Sequence, residues 1–213
     1  MPVRATDRQL DPLDWFGSER ATPVLAAEAE RIAGVLGPAA RQPWLWLAPP
    51  AVPRPDELPR CLFLHGALGG FSGPIRCALP FPLPTEAFGS IVLQHVHESG
   101  LDGVLAECAR LLEPGGRLWL LSLNPWSPYR ARWRRSGLHV REARAWQADL
   151  EAGGLTILGG RRRFGPVWRE RSEAGAHAPP RLRAVTLLEA EKRVAALIPP
   201  TKIPRWGVGA SPI

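Results

Sequence analysis

Two groups of side chains in this 213-residue sequence are of types that can do chemistry. His95 and Glu98 follow a short apolar run at residues 91–93, where an imidazole could serve as a general base. The second group follows the apolar run at residues 118–123 and consists of Asn124, Trp126, Tyr129 and Arg132. Aromatic rings beside arginine could stack a flat substrate and hold an anionic group. Both groups also have a purely structural interpretation, as a histidine bonded to a neighbouring loop and as a turn that covers a sheet edge.

One strand–helix–strand unit carries both groups. Residues 91–93 and 118–123 are typical of strands that are buried on both faces. Apolar residues recur between them at helical spacing: Leu101, Val104, Leu105, Cys108, Leu111 and Leu112. Pro114 and the two glycines after it end that helix. This order predicts a parallel crossover, which brings His95 and Asn124 to the edge of the sheet where ligands usually bind.

Alternating helices and strands continue through the rest of the chain. We predict helices at 22–36 and around 141–151, and strands at 44–48, 61–64, 155–162 and 182–190. The five prolines of residues 49–59 require an irregular connection. These elements predict an α/β fold, a doubly wound sheet with parallel central strands. We expect a single domain at 21–198, preceded by a polar arm at 1–20 and followed by a proline-rich tail at 199–213.

Composition narrows the class of protein. Hydrophobic residues make up 45% of the chain and charged residues 22%, as in soluble globular proteins. No apolar run approaches the roughly 18 residues that span a bilayer, and the N-terminal 20 residues contain no apolar signal segment. Cys61, Cys77 and Cys108 lack C-x-x-C spacing, which favours free thiols in a reducing cytoplasm. No set of His, Cys and carboxylate residues has metal-ligand spacing, so the sequence predicts no metal site.

Positive charge is concentrated in the second half of the chain. Residues 1–123 carry a net charge of −3 and residues 124–213 a net charge of +10. One arginine cluster contains Arg130, Arg132, Arg134 and Arg135, and alternate members of an extended segment would share a face. Another cluster occupies residues 161–163. A basic half favours an acidic partner such as nucleic acid, an anionic lipid or a phosphorylated substrate, with a solvated basic face as the simpler alternative.

The strand–helix–strand unit also resembles a known family. The matching residues are His95, Val96, Glu98, Leu105, Glu107, Arg110, Leu112, Pro114, Gly115, Gly116, Asn124 and Pro125. They are similar to the second half of class I S-adenosylmethionine-dependent methyltransferases, in particular small bacterial members of the "type 11" group with an N-P-x-S segment. The resemblance covers roughly residues 20–190 and implies a seven-stranded sheet with an antiparallel last strand. It implies methyl transfer to an unidentified acceptor, with His95 as the candidate catalytic base.

The resemblance also implies two sets of binding residues. The cofactor S-adenosylmethionine would lie beside Ala48, Pro49, His65, Gly66, Cys77, Ala78, Leu79 and Gln94. The substrate would lie beside Glu98, Asn124, Trp126, Tyr129 and Arg132.

The cofactor half departs from the family pattern. Pro49 and Pro50 stand where a glycine-rich turn normally follows the first strand, and proline has neither the free N–H nor the φ range of that turn. No carboxylate follows the second strand to hold the ribose hydroxyls. We therefore expect weak or absent affinity for S-adenosylmethionine. A catalytically degenerate relative, acting as a binding or regulatory protein, remains the alternative to an enzyme.

Residues 62–73 allow two further interpretations. Gly66, Gly69, Gly70 and Gly73 either replace the missing cofactor turn or form a plain connection. The strand followed by His65-Gly66 also resembles the start of an oxyanion loop in α/β-hydrolases. That class requires a G-x-S-x-G nucleophile turn, which the sequence lacks, so a hydrolase is disfavoured.

Overall fold

A seven-stranded mixed sheet organises the protein. The computed structural model describes residues 11–35, 43–54, 60–67, 69–168 and 179–193. Its strands are β1 (Trp44–Ala48), β2 (Cys61–Ala67), β3 (Gly70–Ser72), β4 (Phe88–Gln94), β5 (Leu112–Leu123), β6 (Leu155–Phe164) and β7 (Val185–Lys192). They lie in the order β3-β2-β1-β4-β5-β7-β6.

Strand directions confirm the predicted fold class. Strands β2, β1, β4 and β5 run parallel, and β7 is antiparallel to both of its neighbours. The four central strands predicted at 44–48, 61–64, 91–93 and 118–123 are therefore confirmed. The structure adds β3, a short strand that forms a hairpin with β2 and was not predicted.

Within the described ranges, three α-helices cover the sheet. They are α1 (Thr22–Val35), α2 (Val104–Leu111) and α3 (Ala143–Ala152), close to the predicted positions. The face of the sheet that includes Leu47, Leu93 and Leu120 packs with α2 and α3, and the opposite face, with Trp46 and Val92, packs with α1. Because β1, β4 and β5 are covered on both faces, each contains a continuous apolar run, at residues 44–48, 91–93 and 118–121 respectively. No helix among the described residues is long and apolar enough to cross a membrane.

The Pro-Gly-Gly segment lies inside β5, which corrects the prediction that it forms a separate turn. Helix α2 ends at Leu111, and β5 begins at the next residue. The register between β4 and β5 then shifts, and Gly115 has a φ of 73°. A Cβ atom on Gly116 would lie 2.9 Å from the Glu113 carbonyl oxygen and 3.0 Å from that of Gly89. The two glycines therefore let β5 bulge while it stays close to β4.

The connections beside β1 and β2 are unusual for a doubly wound fold. In the described residues 49–54 and 60, between β1 and β2, no helix occurs, and β2 is joined to β3 by a hairpin. The prolines of this connection explain why its described part is irregular. The described residues thus provide little helical cover beside β1 and β2, where the family resemblance places the cofactor.

Residues 11–17 pack onto the folded core. Pro12–Gly17 form a 3-10 turn, in which the Asp11 carboxylate accepts the Leu13 N–H at 2.9 Å. Leu13 and Phe16 are buried. Residues 1–10 of the predicted arm and the predicted tail at 199–213 lie outside the described residues, so the division into arm, domain and tail stays a prediction.

Candidate functional site

The carboxyl ends of β1, β2, β4 and β5 meet at one edge of the sheet. Because these strands are parallel, Ala48, His65, Gln94 and Leu123 all lie at or near this edge. His95, Glu98 and Asn124 follow directly. The remaining predicted cofactor residues, Cys77, Ala78 and Leu79, lie beyond the edge strand β3, where Cys77 exchanges two backbone hydrogen bonds with Phe71.

His95 lies between two buried carboxylates. Its Nε2 is 2.6 Å from Oε1 of Glu28 in α1, and its Nδ1 is 2.7 Å from Oε2 of Glu98. All three side chains are completely inaccessible to solvent. Both ring nitrogens of His95 are therefore engaged.

Neighbouring polar groups complete this buried network. The second Glu28 oxygen accepts from Nε2 of Gln94 at 2.7 Å, and the Gln94 amide oxygen accepts from the Trp46 indole at 3.1 Å. The second Glu98 oxygen accepts the Leu123 backbone N–H at 2.8 Å. The network thus joins α1 to the ends of β1, β4 and β5, and each of its carboxylate oxygens has a donor, as buried charges require.

Electrostatics keep the His95 ring protonated. Burial opposes the positive charge, but the charges and hydrogen bonds of Glu28 and Glu98 outweigh it and raise the pKa of His95 to about 10. Burial raises the pKa of Glu98 from its usual value, against the opposing effect of His95 and the Leu123 N–H. A ring that already holds its proton at neutral pH does not suit the role of general base that the resemblance implies.

Phe16 and the backbone hold His95 in place. The Phe16 ring stacks on the imidazole, with centroids 4.4 Å apart and planes 25° apart. His95 has a backbone φ of 54°, a left-handed conformation that residues other than glycine rarely adopt. Such a conformation persists where surrounding contacts stabilise it, as they do here.

Side chains of the protein itself fill the space around Gly66. A Cβ atom on Gly66 would lie 2.9 Å from Val96 Cγ1 and 3.1 Å from Leu13 Cδ1. Next to it, Nε2 of His65 lies 2.8 Å from the carbonyl oxygen of Val52, in the connection that follows β1. Protein atoms therefore occupy the space beside Gly66 at the end of β2, where the resemblance places S-adenosylmethionine.

Pro49 and Pro50 occupy the turn after β1. Pro49 is buried, and its carbonyl oxygen accepts the Val52 N–H at 3.1 Å. That bond draws Val52 onto the edge, where it is buried too. Backbone groups that a glycine-rich turn would offer to a ligand are thus absent here or used within the loop.

Three of the glycines near β2 have structural explanations. Gly69 has a φ of 85° in the hairpin between β2 and β3. Cβ atoms on Gly70 and Gly73 would lie 2.6 Å from the carbonyl oxygens of Cys77 and Phe63, respectively. A positive φ at Gly69 and close approach of the chain to itself at Gly70 and Gly73 therefore account for these glycines without a ligand.

Asn124 ties two segments together at the end of β5. Its amide nitrogen donates to the carbonyl oxygens of Arg181 at 2.9 Å and Arg183 at 2.8 Å. Its amide oxygen accepts the Trp126 backbone N–H at 3.2 Å. The Trp126 side chain is 65% exposed. Of these two predicted substrate residues, Asn124 uses its amide group in hydrogen bonds that stabilise the fold, and Trp126 faces solvent.

Tyr129 and Arg132 lie in the segment that leads away from β5. The Tyr129 hydroxyl donates to the Arg20 carbonyl oxygen at 2.7 Å, and the ring is buried. The Arg132 guanidinium carbon lies 5.6 Å from the centre of the Tyr129 ring. The Arg132 side chain is exposed, while its carbonyl oxygen accepts the Trp15 indole N–H at 3.1 Å.

The first arginine cluster is helical, not extended, which corrects the prediction of alternating faces. Pro128–Arg132 form a 3-10 helix, and the Arg134 N–H continues it by bonding to the Arg130 carbonyl oxygen. Tyr129 and Trp133, four residues apart, point inward. The side chains left exposed by this helical turn are Arg130, Arg132, Arg134 and Arg135.

Glu107 and Arg110, part of the family-like pattern, stabilise a loop. Their side chains form an ion pair at 2.8 Å. Glu107 accepts the Phe81 backbone N–H at 2.9 Å, and Arg110 donates to the carbonyl oxygens of Phe81 and Leu83. The motif thus fixes the segment between β3 and β4 onto α2.

Glu28 is the site residue that the sequence analysis missed. Helix α1 buries every fourth residue in this region, Val24, Glu28 and Ile32, whereas Ala29 is exposed. A carboxylate in the middle of a buried stripe was the available signal, because a buried acid needs a partner.

The other cysteine, histidine and carboxylate side chains of the described residues do not form a second reactive centre. Burial raises the pKa of Cys61 to about 11 and that of Cys108 to about 12, which makes both thiols poor nucleophiles. No cluster of three or more His, Cys, Asp or Glu residues that could hold a metal ion occurs in the described part of the chain.

Comparison with known structures identifies the fold. A protein from Thermotoga maritima, described as a SAM-dependent methyltransferase and possible histamine N-methyltransferase, is 12% identical, with a TM-score of 0.51 over 84% of this chain and 93% of that one. A SAM-dependent methyltransferase from Archaeoglobus fulgidus is 12% identical, with a TM-score of 0.52 over 84% and 97%. A putative S-adenosylmethionine-dependent methyltransferase from Listeria monocytogenes is 11% identical, with a TM-score of 0.52 over 80% of this chain and 100% of that one.

These likenesses show that the chain has the fold of S-adenosylmethionine-dependent methyltransferases. No protein-family model matches the sequence, and no curated protein matches it either.

Proposed function

We propose that this is an S-adenosylmethionine-dependent methyltransferase-like protein, with an unidentified acceptor and its ligand site at the carboxyl edge of the sheet. The observation that supports this is the buried network of Glu28, His95 and Glu98 at the end of β4, within a methyltransferase strand order. Apolar residues could fill such a position as well or better, so buried charges there favour a retained role. We assign the protein to the type 11-like small bacterial members and to the cytoplasm.

In this proposal, the conformation described above corresponds to a closed state of the site. The cofactor would lie beside Ala48, Pro49, His65, Gly66 and Gln94, but Leu13 and Val96 cover Gly66. In the same proposal, the outer part of the cofactor site consists of Cys77, Ala78 and Leu79. Binding therefore requires the turn at residues 12–17 to move. The apparent dissociation constant is the intrinsic one divided by the fraction of molecules that can bind. Because that fraction is small when the site is closed, we expect weak affinity for S-adenosylmethionine.

His95 acts as a positioning residue in this proposal. Its protonated ring bridges α1 and the turn at residues 96–99, and so couples the N-terminal segment to the end of β4. Glu98, Trp126, Tyr129 and Arg132 border the substrate side, where Trp126 and Arg132 are exposed. Asn124 holds that side in place.

A second candidate function is a catalytically degenerate binding protein whose partner is a nucleic acid. Two observations favour it. Prolines occupy the turn after β1, and His65, with its bond to Val52, stands where the family places an acid. The second half of the chain also carries a net charge of +10, which suits a polyanion.

Calorimetric titration with S-adenosylmethionine and S-adenosylhomocysteine separates the two candidates. The parent is compared with two variants. Leu13→Ala removes a side chain that covers Gly66, and the control Leu150→Ala truncates a buried leucine of α3 that is not among the side chains nearest to Gly66. Circular dichroism checks that each variant is folded.

We expect weak binding by the parent, tighter binding by Leu13→Ala and no gain in Leu150→Ala. Micromolar one-to-one binding by the parent would support the methyltransferase and contradict the closed state. If neither the parent nor Leu13→Ala binds either compound at millimolar concentration, the methyltransferase proposal fails and the degenerate binding protein stands.

A further inference from the structure

Three separate segments of the chain meet beside the end of β5. The Tyr129 hydroxyl bonds the Arg20 carbonyl oxygen, and the Asn124 amide bonds that of Arg181. The Ser127 hydroxyl donates to the Leu182 carbonyl oxygen at 2.7 Å and also accepts the Tyr129 N–H at 3.2 Å. Side chains of one segment therefore hold the N-terminal segment and residues 181–183 against it.

In these contacts, the backbone of three arginines is hydrogen-bonded while their side chains remain exposed to solvent. The carbonyl oxygens of Arg20, Arg132 and Arg181 accept bonds from Tyr129, Trp15 and Asn124, respectively. All three arginine side chains are exposed. We call the following six exposed residues the arginine platform: Arg20, Arg130, Arg132, Arg134, Arg135 and Arg181.

The platform carries unneutralised positive charge. Residues 124–141 contain five arginines and no acid. No ion pair among the described residues involves a platform arginine. Along the chain, the acid nearest to the four arginines at residues 130–135 is Glu142, and the acid nearest to Arg20 is Glu19. Like charges held together by the fold lower its stability, so a binding role is a physical reason to keep them.

Trp126 supplies an aromatic surface next to the platform. Its backbone is fixed by Asn124, yet 65% of the side chain is exposed. The fold thus presents an indole ring to solvent, two residues before the helical turn that carries Arg130 and Arg132, and Arg134 and Arg135 follow that turn. Exposed aromatic rings beside guanidinium groups stack on unpaired bases, while the guanidinium groups bind phosphates in two-point contacts.

We propose that the arginine platform and Trp126 bind single-stranded nucleic acid. This rests on the proposal that a nucleic acid is the partner of the basic half and does not depend on cofactor binding. A single strand is favoured over a duplex because bases must be free to stack on Trp126. It is favoured over an anionic membrane because Trp126 is the only exposed large hydrophobic residue in the described segment 124–141, whereas membrane-surface binding needs a broad apolar face.

The second arginine cluster provides a matched control. Arg161 and Arg162 lie on β6, which is an edge strand of the sheet, next to a register shift. Charged residues on edge strands prevent pairing with other chains, which explains this cluster without a ligand. Arg144, on α3, is a third exposed arginine outside the platform.

The test is fluorescence anisotropy with a labelled 20-nucleotide oligo-uridine, a duplex of equal length, and vesicles containing phosphatidylglycerol, at 50 and 200 mM salt. The platform variant is Arg130→Gln with Arg134→Gln and Arg135→Gln. The control variant, with the same change in charge, is Arg144→Gln with Arg161→Gln and Arg162→Gln. A fourth protein carries Trp126→Ala. Urea unfolding checks that all variants are folded.

We expect the parent to bind the single strand more tightly than the duplex, and to weaken steeply with salt as bound counterions are released. The platform variant should lose at least tenfold in affinity and show a shallower salt dependence. The control variant should stay within about twofold of the parent. Trp126→Ala should lose about tenfold on the single strand, as stacked bases typically do, and less on the duplex.

Several outcomes would overturn the inference. Equal losses in the platform and control variants would show non-specific charge, and binding to vesicles alone would indicate a membrane partner. Equal or tighter binding of the duplex would overturn the single-strand assignment but leave a nucleic-acid partner standing. Absence of any nucleic-acid binding at 50 mM salt would overturn both the single-strand assignment and the nucleic-acid partner. The calorimetric titration decides the methyltransferase proposal independently of all four results.

Discussion

Nε2 of His95 lies 2.6 Å from Oε1 of Glu28, although the two residues are 67 positions apart in the sequence. The contact joins α1 to the end of β4 and buries a charged pair completely. Because Glu98 bonds the other ring nitrogen, the imidazole is held from both sides. The carboxyl edge of the sheet therefore has a rigid, charged centre, and the predictions below follow from it and from its surroundings.

Loss of the Glu28 charge should destabilise the fold. Glu28→Gln leaves the buried His95 ring with one carboxylate instead of two, and breaking a buried charge pair typically lowers the free energy of unfolding by about 3 kcal/mol or more. Urea unfolding at pH 7 measures this change. Glu30→Gln, on the exposed face of the same helix, is the control and should have little effect. An equal effect of both substitutions would contradict a special role for Glu28.

The His95 pair should make stability fall at alkaline pH. The pKa of His95 is raised to about 10 in the folded state, above its ordinary value of 6.5, so the folded protein binds an extra proton between these values. Its contribution is therefore fully present below pH 6.5 and is lost as the pH rises towards about 10. The urea midpoint, measured from pH 6 to 10, should decline more steeply in the parent than in His95→Gln. Parallel curves for the two proteins would refute the prediction.

His97 should have the opposite pH dependence. Burial, followed by the charges of His95 and Arg141, lowers its pKa well below 6.5, so the unfolded chain binds more protons in acid. Stability from the neutral ring is present above pH 6.5 and is lost as the pH falls below it. His97→Phe should reduce this acid sensitivity, which a urea series from pH 7 to 5 measures.

The same substitution should also raise stability at pH 7. Neither ring nitrogen of His97 has a hydrogen-bond partner among the described residues, and the ring packs edge-on against Trp146 with centroids 4.6 Å apart. Phenylalanine would keep that contact and remove two unsatisfied polar atoms, a gain of about 1 kcal/mol or more. A loss of stability at pH 7 would show that the nitrogens are satisfied in solution.

Asn124 should matter for folding, whereas its neighbour Trp126 should not. Asn124→Ala removes two bonds to the carbonyl oxygens of Arg181 and Arg183, and we expect the free energy of unfolding to fall by about 2 kcal/mol. Trp126→Ala changes an exposed side chain and should stay within about 0.5 kcal/mol of the parent. Urea unfolding compares the two variants, and a larger loss in Trp126→Ala would contradict the roles assigned here.

Local patterns in the sequence determined most of the architecture. Apolar runs such as residues 91–93 and 118–123 predicted buried strands, and the spacing of Val104, Cys108 and Leu111 predicted α2, because burial on two faces or on one helical stripe leaves a readable period. Pattern and resemblance together predicted the reversed last strand and the edge at which His95, Glu98 and Asn124 lie. Hairpin strand β3 escaped prediction, since three residues are too few to show a period.

Only the tertiary structure decided what the site residues do. Glu28 and Phe16 reach His95 from positions distant in the sequence, and no local period records such a contact. That contact decides the protonation of His95, because a pKa depends on burial and on charges nearby in space. In the same way, a helical turn, anchored by buried Tyr129 and Trp133, replaced the extended segment expected for the arginines. Residue types are written in the chain, but the environment that sets their chemistry forms only when distant segments pack together.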